Sequence, residues 1–288
     1  MSVVDLPPGL PRDVAERLGE DARDVSGAGA GCVLQGNGLV AKVGAAAAIA
    51  REQIALVELR PWMPVGVPEV VDAGEGWLLL REVGVTADPW TGGDALACLE
   101  DLASLHRAFS DHAVLGDPRL CDPLGRDLEP SLAPARHLPD LDRLLPGSAA
   151  LAADPTPLLV PLARAPATLL HGDPWPLNVA RPGRGRRVWL DWSNAACGPA
   201  ALDVATWVDQ TPWVLDGAPQ AEVQVAAYCA AAGVTDDTEF ALAVAAATLL
   251  WFLAVDAPRI ATEEPDPDVI ERILAPRQRA MAALGLAP

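Results

Sequence analysis

Apolar positions fall in short runs over residues 1–84 and at helical spacing over most of the rest. Arg12–Leu18 reads as a short opening helix. Two brief β-type runs, 31–34 and 39–43, flank Gly36-Asn37-Gly38. That pairing predicts a hairpin, because asparagine and glycine accept the positive φ of a two-residue turn. An alanine-rich helix follows over 45–60, stopped by Pro61, and two further strands are predicted over 65–71 and 77–83 about Gly74-Glu75-Gly76. Beyond them come a helix over 95–109, a proline-broken stretch over 117–157 and a strand pair within 178–191. Helices over 200–208, 221–232, 239–255 and 269–284 complete the chain. No repeat of solenoid-like period is present. The pattern predicts an α+β chain with a small antiparallel-sheet lobe over 1–84 and a larger, mainly helical lobe over 85–288, divided near Gly84.

Composition narrows the picture. With 288 residues, 51% of them hydrophobic, the chain buries a substantial core. The longest apolar run, 240–255, is shorter than the roughly 20 residues that span a bilayer, so a buried helix is expected. Residues 1–10 carry Asp5, Pro7 and Pro8 and lack the basic-then-apolar order of a secretion signal. Five cysteines, Cys32, Cys98, Cys121, Cys197 and Cys229, show no paired spacing and suit a reducing cytoplasm. A net charge of −18 disfavours nucleic acid and anionic membranes as partners and favours cationic small molecules. Only one of the 21 basic residues is a lysine, Lys42.

The segment that carries chemistry is Leu169-Leu170-His171-Gly172-Asp173-Pro174-Trp175-Pro176-Leu177-Asn178, followed by Val188-Trp189-Leu190-Asp191-Trp192. An H-G-D-x-x-x-x-N string arises by chance in roughly one such chain in a thousand. Arg181-Pro182-Gly183-Arg184-Gly185 reads as a turn, and folding about its centre places Asn178 opposite Asp191. An amide oxygen and a carboxylate suit magnesium, which keeps its remaining positions for phosphates and water. Asp173, on the preceding loop, is placed to accept a proton from an attacking hydroxyl.

These motifs resemble the aminoglycoside phosphotransferase and choline kinase superfamily, relatives of the protein kinases, over roughly residues 24–210. The resemblance implies a two-lobed protein-kinase-like fold, ATP or GTP as phosphate donor and Mg2+ as cofactor. It makes Asp173 the catalytic base, Asn178 and Asp191 the metal ligands and His171 a support of the loop. Gly198-Pro199-Ala200-Ala201-Leu202-Asp203-Val204-Ala205 resembles a later family pattern in which Asp203 braces the catalytic loop. The strand ending at Arg81, with Glu82 and Val83, resembles the hinge whose backbone holds the nucleotide base, and the helix ending Leu105-His106 resembles the one after it.

The small lobe offers its own test. Ile49, Glu52, Leu56 and Leu59 share one helical face, so Glu52 interrupts an apolar stripe, where a carboxylate is costly without a partner. Lys42 on the preceding strand is that partner, and such a pair aims a kinase lysine at phosphates; an exposed helix edge for Glu52 is the alternative. The small residues Ser26-Gly27-Ala28-Gly29-Ala30-Gly31 suit a phosphate-covering loop, with Gly27, Gly29 and Gly31 letting amides approach the phosphates, although they match no P-loop.

Pro174 and Pro176 depart from the residues common in relatives and stiffen the loop about Trp175, a candidate wall of the acceptor site. Asp209, Asp256, Glu263 and Glu264 are candidate holders of a cationic acceptor, and Trp207, Trp213 and Trp251 of a stacked one. The expected acceptor is aminoglycoside-like or an amino sugar, with a neutral metabolite or nucleoside-type compound next; monomer and homodimer are both open. A kinase-fold protein that binds nucleotide without turnover is the other reading. A protein kinase is disfavoured, since H-R-D, D-F-G and A-P-E are absent from the sequence.

Overall fold

The computed structural model describes residues 7–26, 31–84, 89–183, 186–263 and 265–286. In its first part, helix α1 (Arg12–Leu18) precedes strands β1 (Arg23–Asp24), β2 (Cys32–Gly36) and β3 (Leu39–Val43). Helix α2 (Ala46–Gln53) leads to β4 (Val70–Gly74) and β5 (Trp77–Arg81). The five strands form one antiparallel sheet in the order β1-β2-β3-β5-β4. Asn37 and Gly38 both take positive φ, 49° and 69°, between Gly36 and its partner Leu39, as the predicted hairpin requires.

Strand alternation gives the sheet two apolar faces. Leu34, Ala41 and Leu79 pack under Val14 and Leu18 of α1 in a small cluster. Leu78 and Leu80 join Ile49 and Leu56 from the helix after β3 in the main core. Lys42 follows Ala41 and pairs across the sheet with Leu78, so it projects from the face that α2 covers.

Two boundaries differ from the sequence reading. The helix predicted over 45–60 loosens after α2 into a π-helical turn, Ile54–Glu58, and a 3₁₀ turn, Arg60–Trp62. The strand predicted over 65–71 starts only at Val70. Its earlier residues dock on the other half of the molecule instead: Gly66 forms a parallel bridge with Val188, and Trp189 N–H donates to Gly66 O at 2.8 Å. A β-carbon at Gly66 would stand 2.4 Å from Arg187 O, so only glycine permits that approach.

The second part is mainly helical. Helix α3 (Gly92–Phe109) opens with a capping box in which Thr91 and Asp94 exchange hydrogen bonds. The proline-rich stretch holds α4 (Leu128–Arg136), α5 (Leu141–Leu144), α6 (Ser148–Ala153) and α7 (Thr156–Leu162). Strand β6 (Ala167–Leu170) pairs with β9 (Ala196–Pro199), and β7 (Val179–Gly183) with β8 (Arg186–Trp189). Helices α8 (Ala201–Val214), α9 (Ala221–Ala232), α10 (Asp237–Trp251), α11 (Ala257–Glu263) and α12 (Pro267–Ala283) complete it. The run Asp237–Glu263 is long and apolar enough to cross a membrane by composition, yet two thirds of its most apolar window is buried. One core runs from Leu56 and Leu78 through Leu102, Trp189 and Trp207 to Phe252, so the two parts share apolar packing.

Arg277 of α12 is almost fully buried and ties three elements together. It donates to Asp209 of α8, with Nη2 at 2.8 Å from Oδ2, and to Asp256 Oδ2 at 2.7 Å. Asp256 ends a π-helical turn, Phe252–Asp256, between α10 and α11. Removing the cation would leave Asp209 without its partner and Asp256 with only Arg259, 3.9 Å away. Arg277→Ala is therefore expected to lower stability by about 3–5 kcal/mol, read from urea unfolding midpoints. An unchanged midpoint would show that the cluster carries no net charge balance.

Candidate active site

Strand β6 delivers the chain into the H-G-D loop. Gly172 has φ +84°, and a β-carbon there would lie 1.8 Å from Asn194 O, so no other residue fits. The turn is held from below by Asp203 in the first turn of α8, 1% exposed. Its Oδ2 accepts the backbone N–H of His171 at 2.7 Å, and its Oδ1 that of Gly172 at 3.0 Å. His106 Nε2 lies 3.2 Å from Asp203 Oδ2, and Tyr228 Oη 2.8 Å from His106 Nδ1. With Nε2 carrying the proton toward the carboxylate, the Tyr228 hydroxyl donates to Nδ1 and both ring nitrogens of His106 are satisfied.

His171 is fully buried, and burial holds its pKa below the usual histidine value. The neutral ring donates from Nε2 to Leu190 O at 2.8 Å and accepts the Asp173 N–H at Nδ1 at 3.3 Å. Its ring packs against Trp189 and Trp192, with centroids 5.5 and 4.6 Å away. The imidazole thus joins the loop before Asp173 to the strand before Asp191.

Asp173 is pushed up to about 6 by burial first, then by the carboxylates of Asp191 and Asp203, against a hydrogen bond from Asn178. Asn178 Nδ2 donates to Asp173 O at 2.9 Å and to Oδ2 at 3.1 Å. This turns the amide oxygen of Asn178 away from Asp173. Asn178 does not face Asp191 across the hairpin. The ladder starts at Gly183 and Arg186 as expected, but a bulge between Ala180 and Gly183 shifts it by one, and Leu190 N–H donates to Asn178 O at 2.7 Å.

Asp191 meets the small lobe. Lys42 Nζ donates to Glu52 Oε1 and Oε2 at 3.0 and 2.7 Å and to Asp191 Oδ1 at 2.7 Å. Burial opposes the charge on Lys42, but the two carboxylates outweigh it and hold its pKa above the usual lysine value. Asp191 is half-buried, which opposes its charge, yet Lys42 keeps its pKa below the usual carboxylate range. Glu52 is wholly enclosed, and burial raises its pKa despite Lys42 and the Trp192 amide. Asp191 has φ +57°, a left-handed conformation that costs a non-glycine residue about 1–3 kcal/mol. Such strain persists where surrounding contacts over-determine it, and Lys42 supplies one of them.

Several anchors of this hairpin carry no motif. Asp101 of α3 accepts Arg187 Nε at 2.6 Å, Arg187 Nη2 at 2.8 Å and Trp189 Nε1 at 3.3 Å. With the Gly66 bridge, they fix β8 two residues before Asp191. Only the rarity of an acid inside an apolar helix face could have flagged Asp101 in the sequence.

Other expected positions are spread more widely. Gly27 and Gly29 lie outside the described residues; Gly31 sits before β2, and a β-carbon there would stand 2.9 Å from Val43 O. Arg81 turns outward to Glu69, with Nε 2.9 Å from Oε2, and Glu82 N–H donates to Gly38 O, leaving the backbone of Val83 past the sheet's end. Trp175 is partly exposed on the catalytic loop. Asp209 and Asp256 are corrections: both carboxylates accept from Arg277 inside the fold, so neither is turned toward a cationic acceptor. Glu263 is exposed at the end of α11, whereas Trp207 is core, packed on Trp90 and Trp189. Arg272 covers the Trp213 ring at 3.9 Å, and Trp251 is partly buried.

The triad of charges generates a pH test. Lys42→Met leaves Glu52 enclosed without a cation, so its folded-state pKa lies above the unfolded one. Such a group binds its proton more tightly when folded, so stability is complete below the ordinary glutamate range and falls as pH rises through the raised value. The stability gap between wild type and Lys42→Met should therefore widen from about pH 5 to about pH 8, followed by urea unfolding. A gap independent of pH would mean that Glu52 is not ionised beside Lys42.

No curated protein matches the chain in sequence. Among solved structures, amicoumacin kinase hAmiN in complex with AMP-PNP, Ca2+ and Ami is similar over 95% of this chain and 93% of its own, with TM-score 0.66 and 11% identity. Aminoglycoside phosphotransferase APH(2'')-Ib with ADP is similar over 97% and 100%, with TM-score 0.63 and 12% identity. A choline/ethanolamine kinase family protein from Mesorhizobium loti is similar over 93% and 89%, with TM-score 0.59 and 17% identity. At such identities the likeness is one of fold. The family model described as phosphotransferase enzyme family matches residues 39–246, from the Lys42 strand through the catalytic loop and α8 into α10, and the chain belongs to that family.

Proposed function

We propose that this chain is a small-molecule kinase that moves the γ-phosphoryl group of ATP or GTP to a hydroxyl, with residues 1–84 holding the nucleotide and 85–288 the acceptor. The observation that carries the reading is the meeting of Lys42, Glu52 and Asp191 beside the loop that bears Asp173 and Asn178. Glu52 fixes the ammonium of Lys42 for the phosphates. The backbone of Val83 is free to meet the base.

The residues fit a magnesium ion. Among the described residues no group of three His, Cys, Asp or Glu side chains could hold a metal, so the protein would offer few ligands. The Asn178 amide oxygen and the Asp191 carboxylate are hard oxygens, and phosphates and water would complete the shell. Bound there, the ion would neutralise charge on the phosphate oxygens. The chain's own work is positioning and proton transfer. Asp173 accepts the acceptor's proton as its oxygen bonds to the γ-phosphorus and the bond to the bridging oxygen breaks, releasing the nucleoside diphosphate.

An aminoglycoside-like, amino-sugar or related aminated acceptor accords with the solved relatives and with the net charge of −18; resistance to such an antibiotic would then be its role. A nucleotide-binding protein without turnover is the second reading, but it would leave the joint presence of Lys42, Asp173, Asn178 and Asp191 without use. The five free cysteines accord with a reducing cytoplasm.

Nucleotide affinity measured by calorimetry should fall steeply in EDTA, and Asp191→Ala should abolish the difference. Equal affinity with and without magnesium would remove Asn178 and Asp191 from the metal site. Asp173→Asn keeps shape and the contact from Asn178 but loses the proton acceptor. Turnover should drop more than about 10²-fold, while nucleotide affinity moves less than about threefold. Loss of nucleotide binding would instead make Asp173 a metal ligand or fold support.

A further inference from the structure

Asn178 and Asp191 stand at the open end of one hairpin, Asn178 just before β7 and Asp191 two residues after β8. The two strands form a sheet of their own, and a two-stranded ribbon holds its shape weakly unless it packs on something larger. Helix α3 is that support. Asp94 and Asp101 lie seven residues apart, about two turns along one face. Asp94 engages Arg181 of β7 at 3.3 Å, and Asp101 takes Arg187 of β8 on both carboxylate oxygens.

The two contacts differ in what they hold. Arg187 and Trp189 share one face of β8, so the Asp101 Oδ2 that accepts Arg187 Nε also accepts Trp189 Nε1. Asp101 thereby secures the strand up to two residues before Asp191. Its ion pair with Arg187 is forked and only about one fifth exposed on either side, a geometry stronger than a single exposed bond. Asn178 has no such need of Arg181, because it is held by its own bonds to Asp173 and by the Leu190 N–H on its carbonyl. Asp191 has most to lose from a loosened β8. Its left-handed backbone persists only while its surroundings over-determine it, and magnesium accepts little departure from octahedral geometry.

Resting on the magnesium site of the kinase reading, we propose that Asp101 is a positioning residue for Asp191. Through Arg187 and Trp189 it holds the end of β8 where Asp191 can reach the ion, and so sets the magnesium requirement of the site without touching ion or substrate.

Hydrogen exchange on the metal-free chain tests the placement by itself. In Asp101→Asn the amides of Trp189 and Leu190, bonded to Gly66 O and Asn178 O, should exchange at least about tenfold faster than in wild type, while those of His171 and Gly172 on Asp203 stay within about threefold. Calorimetry with a non-hydrolysable ATP or GTP analogue at increasing magnesium tests the consequence. The magnesium concentration for half-maximal binding should rise at least about tenfold in Asp101→Asn. Arg187→Met should do the same, and the double variant should add little, since the pair acts as one. Asp94→Asn weakens the α3 capping box and the Arg181 contact, so it should lower the urea unfolding midpoint yet leave half-maximal magnesium within about threefold. Unchanged exchange at Trp189 and Leu190, a magnesium requirement unmoved by Asp101→Asn, or one moved equally by Asp94→Asn would each overturn the proposal while leaving the kinase reading in place. A wild-type chain that binds nucleotide equally with and without magnesium would instead overturn the metal site, and the role of Asp101 with it.

Discussion

The ammonium of Lys42 is the interaction on which the site depends. It is the only lysine of the chain, it stands on β3, and it bonds a carboxylate from α2 and another from the segment after β8. Strand, helix and hairpin come from distant parts of the sequence, and the wholly enclosed Glu52 is too costly to bury without the Lys42 cation. Together the three charges fix where the two halves of the molecule meet. The left-handed backbone of Asp191 belongs to the same constraint, since its carboxylate reaches Lys42 from that conformation.

A second constraint holds Asp173 independently of the first. Asp203 receives the two amides before Asp173, and His106 and Tyr228 extend that support into α3 and α9. His171 links the two systems through Leu190 O, one residue before Asp191. Each half of the site is braced by buried polar groups whose hydrogen bonds are complete, the condition under which enclosed polarity rigidifies rather than destabilises.

Local chemistry made much of this legible. The turn at Asn37-Gly38, the helices Arg12–Leu18 and Ala221–Ala232, and the buried Glu52 on an apolar stripe follow from period, turn chemistry and the cost of an unpaired carboxylate. What escaped depends on contacts between distant segments. Strands β6 and β9 are four residues each and carry no alternation. The bulge that moves Asn178 opposite Leu190 leaves no mark in composition, and the docking of Gly66 on β8 displaced a strand that its valines suggested.

Asp209 and Asp256 show why acids are poor guides to an acceptor. In sequence they look like surplus negative charge in a chain of −18 net charge, and such charge suggests a cationic ligand. In the fold an arginine 68 residues after Asp209 encloses both, and their effect is on helix packing. A carboxylate informs about a ligand only when the fold leaves it without an internal cation.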